Sequence, residues 1–238
     1  MLGAKDMETM SARTRSSPVF KIARNATATD LQDGGPMLDR EAFAKSSHVF
    51  SHMVPKQGKA TNQKSSGRCW LFAFLNLARQ QMMVDLKLPE SFELSQNYLF
   101  FFDKLERCNY ILQCYIKTAG EPLESRRVQH LLKSPAEDGG QFDMITAVVK
   151  KYGVVPKSVY PDANGGDRSI YMRRAIDAKM REYCRDLRAA VEGGASREKL
   201  NEMKQGMLAT IYRILATHLG EPPKKFDWEY VNTDKVST

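Results

Sequence analysis

The apolar positions of this chain recur at helical spacing over most of residues 67–219. From Gly67 to about Leu86, Trp70, Leu71, Phe72, Phe74, Leu75 and Leu77, then Met82, Met83 and Val84, place apolar groups nearly all round one helix. That is the pattern of a buried element, and Pro89 ends it. A second helix starts with Ser95 as N-cap and runs through Tyr98-Leu99-Phe100-Phe101-Phe102 towards Tyr115. Val128 to Lys133 forms a short helix stopped by Pro135. Asp138-Gly139-Gly140 is a turn, and Met144, Val148 and Tyr152 repeat at helical spacing until Gly153. Val154 to Pro161 reads as extended. Met172, Ile176, Met180, Tyr183, Leu187 and Val191 then make one clean stripe. After Gly193-Gly194, Ser196 caps a second stripe of Leu200, Met203, Met207, Ile211 and Leu215, giving a long αα-hairpin that ends at Gly220 and Pro222-Pro223.

The ends of the chain are less patterned. Residues 1 to about 45 are polar and punctuated at Asp33-Gly34-Gly35-Pro36, which predicts an extended, partly disordered arm. Residues 48–66 read as loop. The chain divides on this reading into four parts: 1–45, the N-terminal arm; 46–165, a helical domain; 166–222, a basic helical hairpin; and 223–238, the start of a further segment.

Composition narrows the class. The 238 residues are 42% hydrophobic and 27% charged, a globular composition. No apolar run approaches the roughly 20 residues that cross a bilayer, so no membrane partner is expected. The first residues lack the apolar region of a secretory signal. Cys69, Cys108, Cys114 and Cys184 have no zinc-ligand spacing, and no metal or cofactor is predicted. A chain this long does not need disulfides for its core, so the reading is a reducing, cytoplasmic setting. The net charge of +8 comes from 36 Lys+Arg against 28 Asp+Glu. Between Arg168 and Arg213 stand 11 basic and 6 acidic residues, so the hairpin is basic. Two solvated helix faces explain this most simply; a surface for an acidic partner or nucleic acid is the alternative. No aromatic platform interleaves the charges, so single-strand stacking is unsupported.

The chemistry concentrates in Asn62-Gln63-Lys64-Ser65-Ser66-Gly67-Arg68-Cys69-Trp70. A cysteine behind a glycine turn, at the start of a helix, sits where unpaired N–H groups and the helix dipole stabilise a thiolate. Arg68 adds a positive charge nearby on this reading. Gln63 can bring its amide beside the Cys69 N–H, and the two donors together would form an oxyanion hole.

This string resembles the nucleophile segment of papain-like cysteine peptidases. Gln63, Gly67, Cys69 and Trp70 fall on the oxyanion glutamine, turn glycine, nucleophile and following aromatic. Ser66 departs from the secreted members, which carry a disulfide cysteine there. Together with His48-Val49-Phe50, Tyr98-Leu99-Phe100-Phe101 and Phe226-Asp227-Trp228-Glu229-Tyr230, the string looks like the bleomycin hydrolase branch of that family. Asp138-Gly139-Gly140-Gln141 resembles the segment that presents backbone to substrate, which makes Gly139 and Gly140 substrate-binding candidates. The resemblance implies a cysteine-type aminopeptidase acting on peptides, a hexamer, and, for some members, nucleic-acid binding. It also implies a mainly α half that bears the nucleophile, with the hairpin as an insertion, followed by a β-rich half that carries the base.

A base is the missing piece. The histidines are His48, His52, His130 and His218. His218 lies 149 residues beyond Cys69, but in the last turn of a long helix, where a histidine suits the dipole. The family's base is followed by an Asn-Ser-Trp motif that this chain does not contain. His48 and His52 read as structural. The chain is therefore expected to hold the nucleophile without the catalytic His and Asn, and to show little turnover alone. A non-catalytic interaction module or pseudoenzyme is the alternative.

Overall fold

The computed structural model describes residues 3–28, 40–47, 49–54 and 57–234. Contacts divide the chain into two compact units, Met1–Pro55 and Lys56–Thr238. His48, the Asp33-Gly34-Gly35-Pro36 punctuation and the last residues, Val236-Ser237-Thr238, lie outside the described residues.

The first unit corrects the expectation of an extended arm over residues 1–45. It contains α1 (Ala4–Arg15), α2 (Pro18–Ala28) and α3 (Arg40–Lys45). Polarity signals exposure, and exposure does not preclude a helix. Ala, Lys, Met and Glu in α1 are all good helix formers. Asp6 accepts from the Gly3 N–H at 2.9 Å, and Arg13 and Arg15 stand in the last turn, so both ends complement the dipole. No residue of α1 is buried, which is why no apolar period announced it.

The second unit is built on α5 (Gln96–Lys117). Ser95 caps it, accepting from the Tyr98 N–H at 3.1 Å and donating its hydroxyl to the Tyr160 carbonyl. Around α5 stand α4 (Cys69–Asp85), α6 (Arg126–Lys133), α7 (Phe142–Tyr152), the short α8 (Asn164–Asp167), α9 (Ile170–Glu192) and α10 (Arg197–Leu219). Among the described residues there is no strand; Leu94 and Pro156 form an isolated antiparallel bridge. Leu99, Phe100 and Phe101 are fully buried in the core with Leu71, Ile176, Ile211 and Leu215. Each such side chain contributes about 1.5–3 kcal/mol relative to exposure.

The helix expected over residues 67–86 is present as α4, but it is not buried all round. Leu71, Phe72, Leu75, Arg79 and Met83 face inward, while Leu77 is 67% exposed and Val84 46%. One stripe meets α5 and α7, and the opposite stripe carries Cys69, Ala73 and Leu77 to the surface. The two helices α9 and α10 pack on each other, and their apolar stripes pack on α5 in the same core as α4.

Two arginines of α9 are tied to neighbouring elements. Arg181 donates to the carbonyls of Leu132 and Lys133 at the end of α6, and Arg188 to those of Thr118 and Glu121 beyond α5. Arg181 satisfies carbonyls that the end of α6 leaves without helical partners, and Arg188 ties the turn after α5 to α9. Lys179 pairs with Glu182, Arg185 with Asp186 and Lys199 with Glu202.

Candidate active site

The loop 62–68 is held almost entirely by side chains. Asn62 Oδ1 accepts from the Lys64 N–H at 2.8 Å, holding Lys64 at a φ of 55°, a region few non-glycine residues adopt. Ser65 N–H donates to the Asp167 carbonyl at 3.0 Å. Gln63 Nε2 donates to the Ser66 carbonyl at 2.9 Å, and Ser66 Oγ donates to the Gln63 carbonyl at 2.6 Å. The Gln63 amide thus lies within the loop that delivers Cys69, with one of its two N–H bonds committed to Ser66.

Cys69 is the first residue of α4 and is exposed. The Arg68 carbonyl accepts from Leu71 and Phe72, which starts the helical ladder beyond Cys69. The Cys69 N–H, at the first helical position, stands outside that ladder. The other thiols differ. Cys108 and Cys184 are buried, and burial raises both, Cys108 to about 12. Cys114 is half-buried.

Arg68 does not add free positive charge near the thiol, contrary to the expectation from its position. Its side chain is fully buried, over the rings of Phe72 and Phe100, and its Nε donates to Ser66 Oγ at 2.8 Å. Two carboxylates match it, Asp167 at 3.3 Å and Asp162 at 3.6 Å. Burial pushes the guanidinium below its ordinary value against the pull of both carboxylates. That direction reports desolvation of a group that stays charged. The α4 stripe explains the orientation, because Arg68 lies one helical turn before Leu71 and Phe72 and shares their inward face. Arg68 is an anchor for the turn.

Across from this loop run residues 136–140. Trp70 Nε1 donates to the Asp138 carbonyl at 2.9 Å, and the Gly67 N–H reaches Asp138 Oδ2 at 3.3 Å. Two glycines of close approach, Gly67 and Gly140, are explained here. A Cβ on Gly67 would lie 2.8 Å from Asp138 Cβ, and one on Gly140 would lie 2.5 Å from the Trp70 ring. Gly139, by contrast, faces open space. The structure therefore brings the Gly139-Gly140 turn against the residue that follows Cys69.

His130 is exposed on α6, and His218 lies in the last turn of α10 as expected, packed against Gly165. Among the described residues no group of His, Cys, Asp and Glu is arranged to hold a metal. No helix among them is long and apolar enough to cross a membrane.

Sequence reasoning missed Lys104, Arg107 and Ser169, and read Asp138 only as part of its turn. A signal for Lys104 was available. It lies four residues after Phe100 and four before Cys108, in a helical stripe that continues to Leu112 and Tyr115, all fully buried. A lysine in a buried stripe needs a partner.

The model of the Peptidase C1-like family matches residues 1–237 of this chain. The chain belongs to that family. It is 42% identical over 238 residues to the bleomycin hydrolase of Rattus norvegicus, covering 98% of this chain and 52% of that protein. It is 43% identical over 233 residues to the aminopeptidase C of Lactobacillus delbrueckii subsp. lactis, covering 96% of this chain and 50% of the relative. The crystal structure of pepw from Lactobacillus rhamnosis superposes with a TM-score of 0.83 at 38% identity, over all of this chain and 53% of that one. The chain thus spans about half the length of these relatives. The helical architecture matches that part of a solved relative.

Proposed function

We propose that this chain supplies the nucleophile side of a cysteine-type aminopeptidase site. The observation that carries the reading is the placement of Cys69. It is exposed at the start of α4, and the Trp70 beside it packs against the Gly139-Gly140 turn. Cys69 Sγ, as thiolate, attacks the carbonyl carbon of an N-terminal peptide bond. The tetrahedral oxyanion is met by the Cys69 N–H and by the second N–H of the Gln63 amide. Collapse expels the amine, which takes a proton, and leaves a thioester on Cys69; water then releases the acid and restores the thiol. Gly139 and Gly140 contact the substrate backbone, Gly139 through its open face.

The general base of this reading comes from outside residues 1–238. Support lies in relatives about twice this length. Peptides are the substrates, and a hexameric assembly in the cytoplasm accompanies the reading.

An epoxide-type thiol inhibitor followed by peptide mass spectrometry tests the proposal. Fast, selective modification of Cys69 over Cys114 is expected, with little cleavage of an aminoacyl-fluorophore by the 238-residue chain. Robust cleavage, abolished in Cys69→Ala, would refute the external base. An unmodified Cys69 together with salt-dependent nucleic-acid binding would favour the interaction module, whose supporting observation is the excess of basic residues in α9 and α10.

A further inference from the structure

Residues 136–139 form neither helix nor strand. A segment without its own ladder must place its backbone polar groups on something else, and here that something is α5. Lys104, fully buried, directs its Nζ to the carbonyls of Ala136 at 2.8 Å and Glu137 at 2.5 Å and to Asp138 Oδ1 at 2.8 Å. One turn later, Arg107 donates to the Gly139 carbonyl at 2.9 Å while pairing with Asp103. Two side chains of one helix thus take acceptors from four consecutive residues. On its other side the strap meets the thiol turn through Gly67 N–H and Trp70 Nε1, and α9 through Ser169 Oγ, 2.5 Å from Asp138 Oδ2. Asp177 accepts from the Ala136 N–H at 2.9 Å.

We infer that Lys104 and Arg107 are positioning residues for the reaction: acting through Asp138 and the Gly139 carbonyl, they fix the substrate-contacting turn and the Cys69 turn to each other. This inference rests on Cys69 being the nucleophile. Asp138 is the hinge of the arrangement, since one carboxylate oxygen faces Lys104 and the other faces Gly67 and Ser169. Burial pushes the Asp138 carboxyl up, but Lys104, Ser169 and the Gly67 N–H outweigh it and hold the group below its ordinary value. A carboxylate locked from two sides transmits the position of α5 to the turn that carries the thiol. Arg107 does the same for Gly139, whose open face leaves its own side free for a ligand.

The test measures the second-order rate of iodoacetamide addition to each cysteine of the whole chain, over a range of pH, by peptide mass spectrometry. Cys114 on α5 serves as internal reference. In Lys104→Met and Arg107→Met, the Cys69 rate is expected to fall on the order of 10-fold relative to Cys114, about the worth of one charge-assisted hydrogen bond. The midpoint of the Cys69 pH profile is expected to move, and Trp70 emission to shift. Arg107→Lys, which retains a donor for Gly139, should recover part of the loss. A purely structural role would slow neither thiol selectively. Should Lys104→Met fail to fold, Arg107→Met carries the test, and Ser169→Ala, which removes one bond to Asp138, stands behind it. Folded variants whose Cys69 profile matches the parent within about twofold, well under one such bond, would overturn the positioning role and leave the nucleophile reading intact. A parent chain whose Cys69 reacts no faster than Cys114 would overturn both.

Discussion

In the α9–α10 hairpin the apolar stripes pack inward, and most charged side chains pair with neighbours on the same helix or remain at the surface. At the 136–140 strap one pair of opposite charges is inside. Lys104 and Asp138 are buried there, and backbone carbonyls and N–H groups satisfy what the pair leaves over. The hairpin is ordered by burial of area, which is non-directional. The strap is ordered by directional bonds to a few atoms, which tolerates little displacement. A region of the first kind makes a scaffold, and one of the second kind can hold a reacting group in place.

The largest effect that sharpens this contrast is in the hairpin. Ile211→Ala deletes a fully buried side chain and is expected to cost about 2–5 kcal/mol in urea unfolding. The Cys69 alkylation rate of the folded fraction should nevertheless match the parent. Coupled loss of both would mean that the two regions are not separable.

Gly140→Ala probes the strap in the opposite way. The new methyl meets the Trp70 ring, and the expected cost is about 1–3 kcal/mol. Here the Cys69 rate should change along with stability, because Trp70 adjoins the thiol. An unaltered rate in the folded variant would separate the turn from the nucleophile.

The acid limb of stability distinguishes the two carboxylates near Lys104. Asp138 is held below its ordinary 3.8, so its contribution is fully present above that pH and is lost as pH falls through the lowered value. Asp103 acts in reverse. Burial raises its carboxyl against Arg107 and Lys104, so its ionisation costs stability that acid restores. Asp138→Asn removes the first effect and keeps the second. Its unfolding free energy should therefore decline less steeply below about pH 4 than that of the parent. An equal slope would show that Asp138 does not carry the linkage.

The smallest expected effect belongs to an exposed hairpin pair. Lys199→Ala breaks the contact with Glu202 and should change stability by less than about 1 kcal/mol. A larger loss would mark that face as more than solvated surface.

The same contrast accounts for what the sequence disclosed. Met172, Ile176, Met180 and Leu187 announce α9 because burial of a helix face writes a period into the chain. Ser95 and Ser196 announce the starts of α5 and α10, and each accepts a backbone N–H as expected. Cys69, Gly67 and Trp70 were legible as a motif. The inward course of Arg68 was not, because its partners Asp162 and Asp167 lie some 100 residues away along the chain. Nor was the strap, whose bonds join residues 30–70 positions apart. α1 escaped notice for the opposite reason: a helix that buries nothing leaves no apolar period.

The carbonyl hooks of Arg181 and Arg188 change how mutagenesis of this surface should be interpreted. A charge-reversal or alanine scan of α9 for polyanion affinity would treat every arginine as an equal reporter. At these two positions it would also release the end of α6 and the turn after α5, so weaker binding and a loosened fold would arrive together. Lysine would not reproduce either site, since a compact ammonium lacks the planar, fixed donor geometry of the guanidinium. Arg173 and Arg174 carry the same charge without those hooks, and they make the cleaner reporters of surface potential.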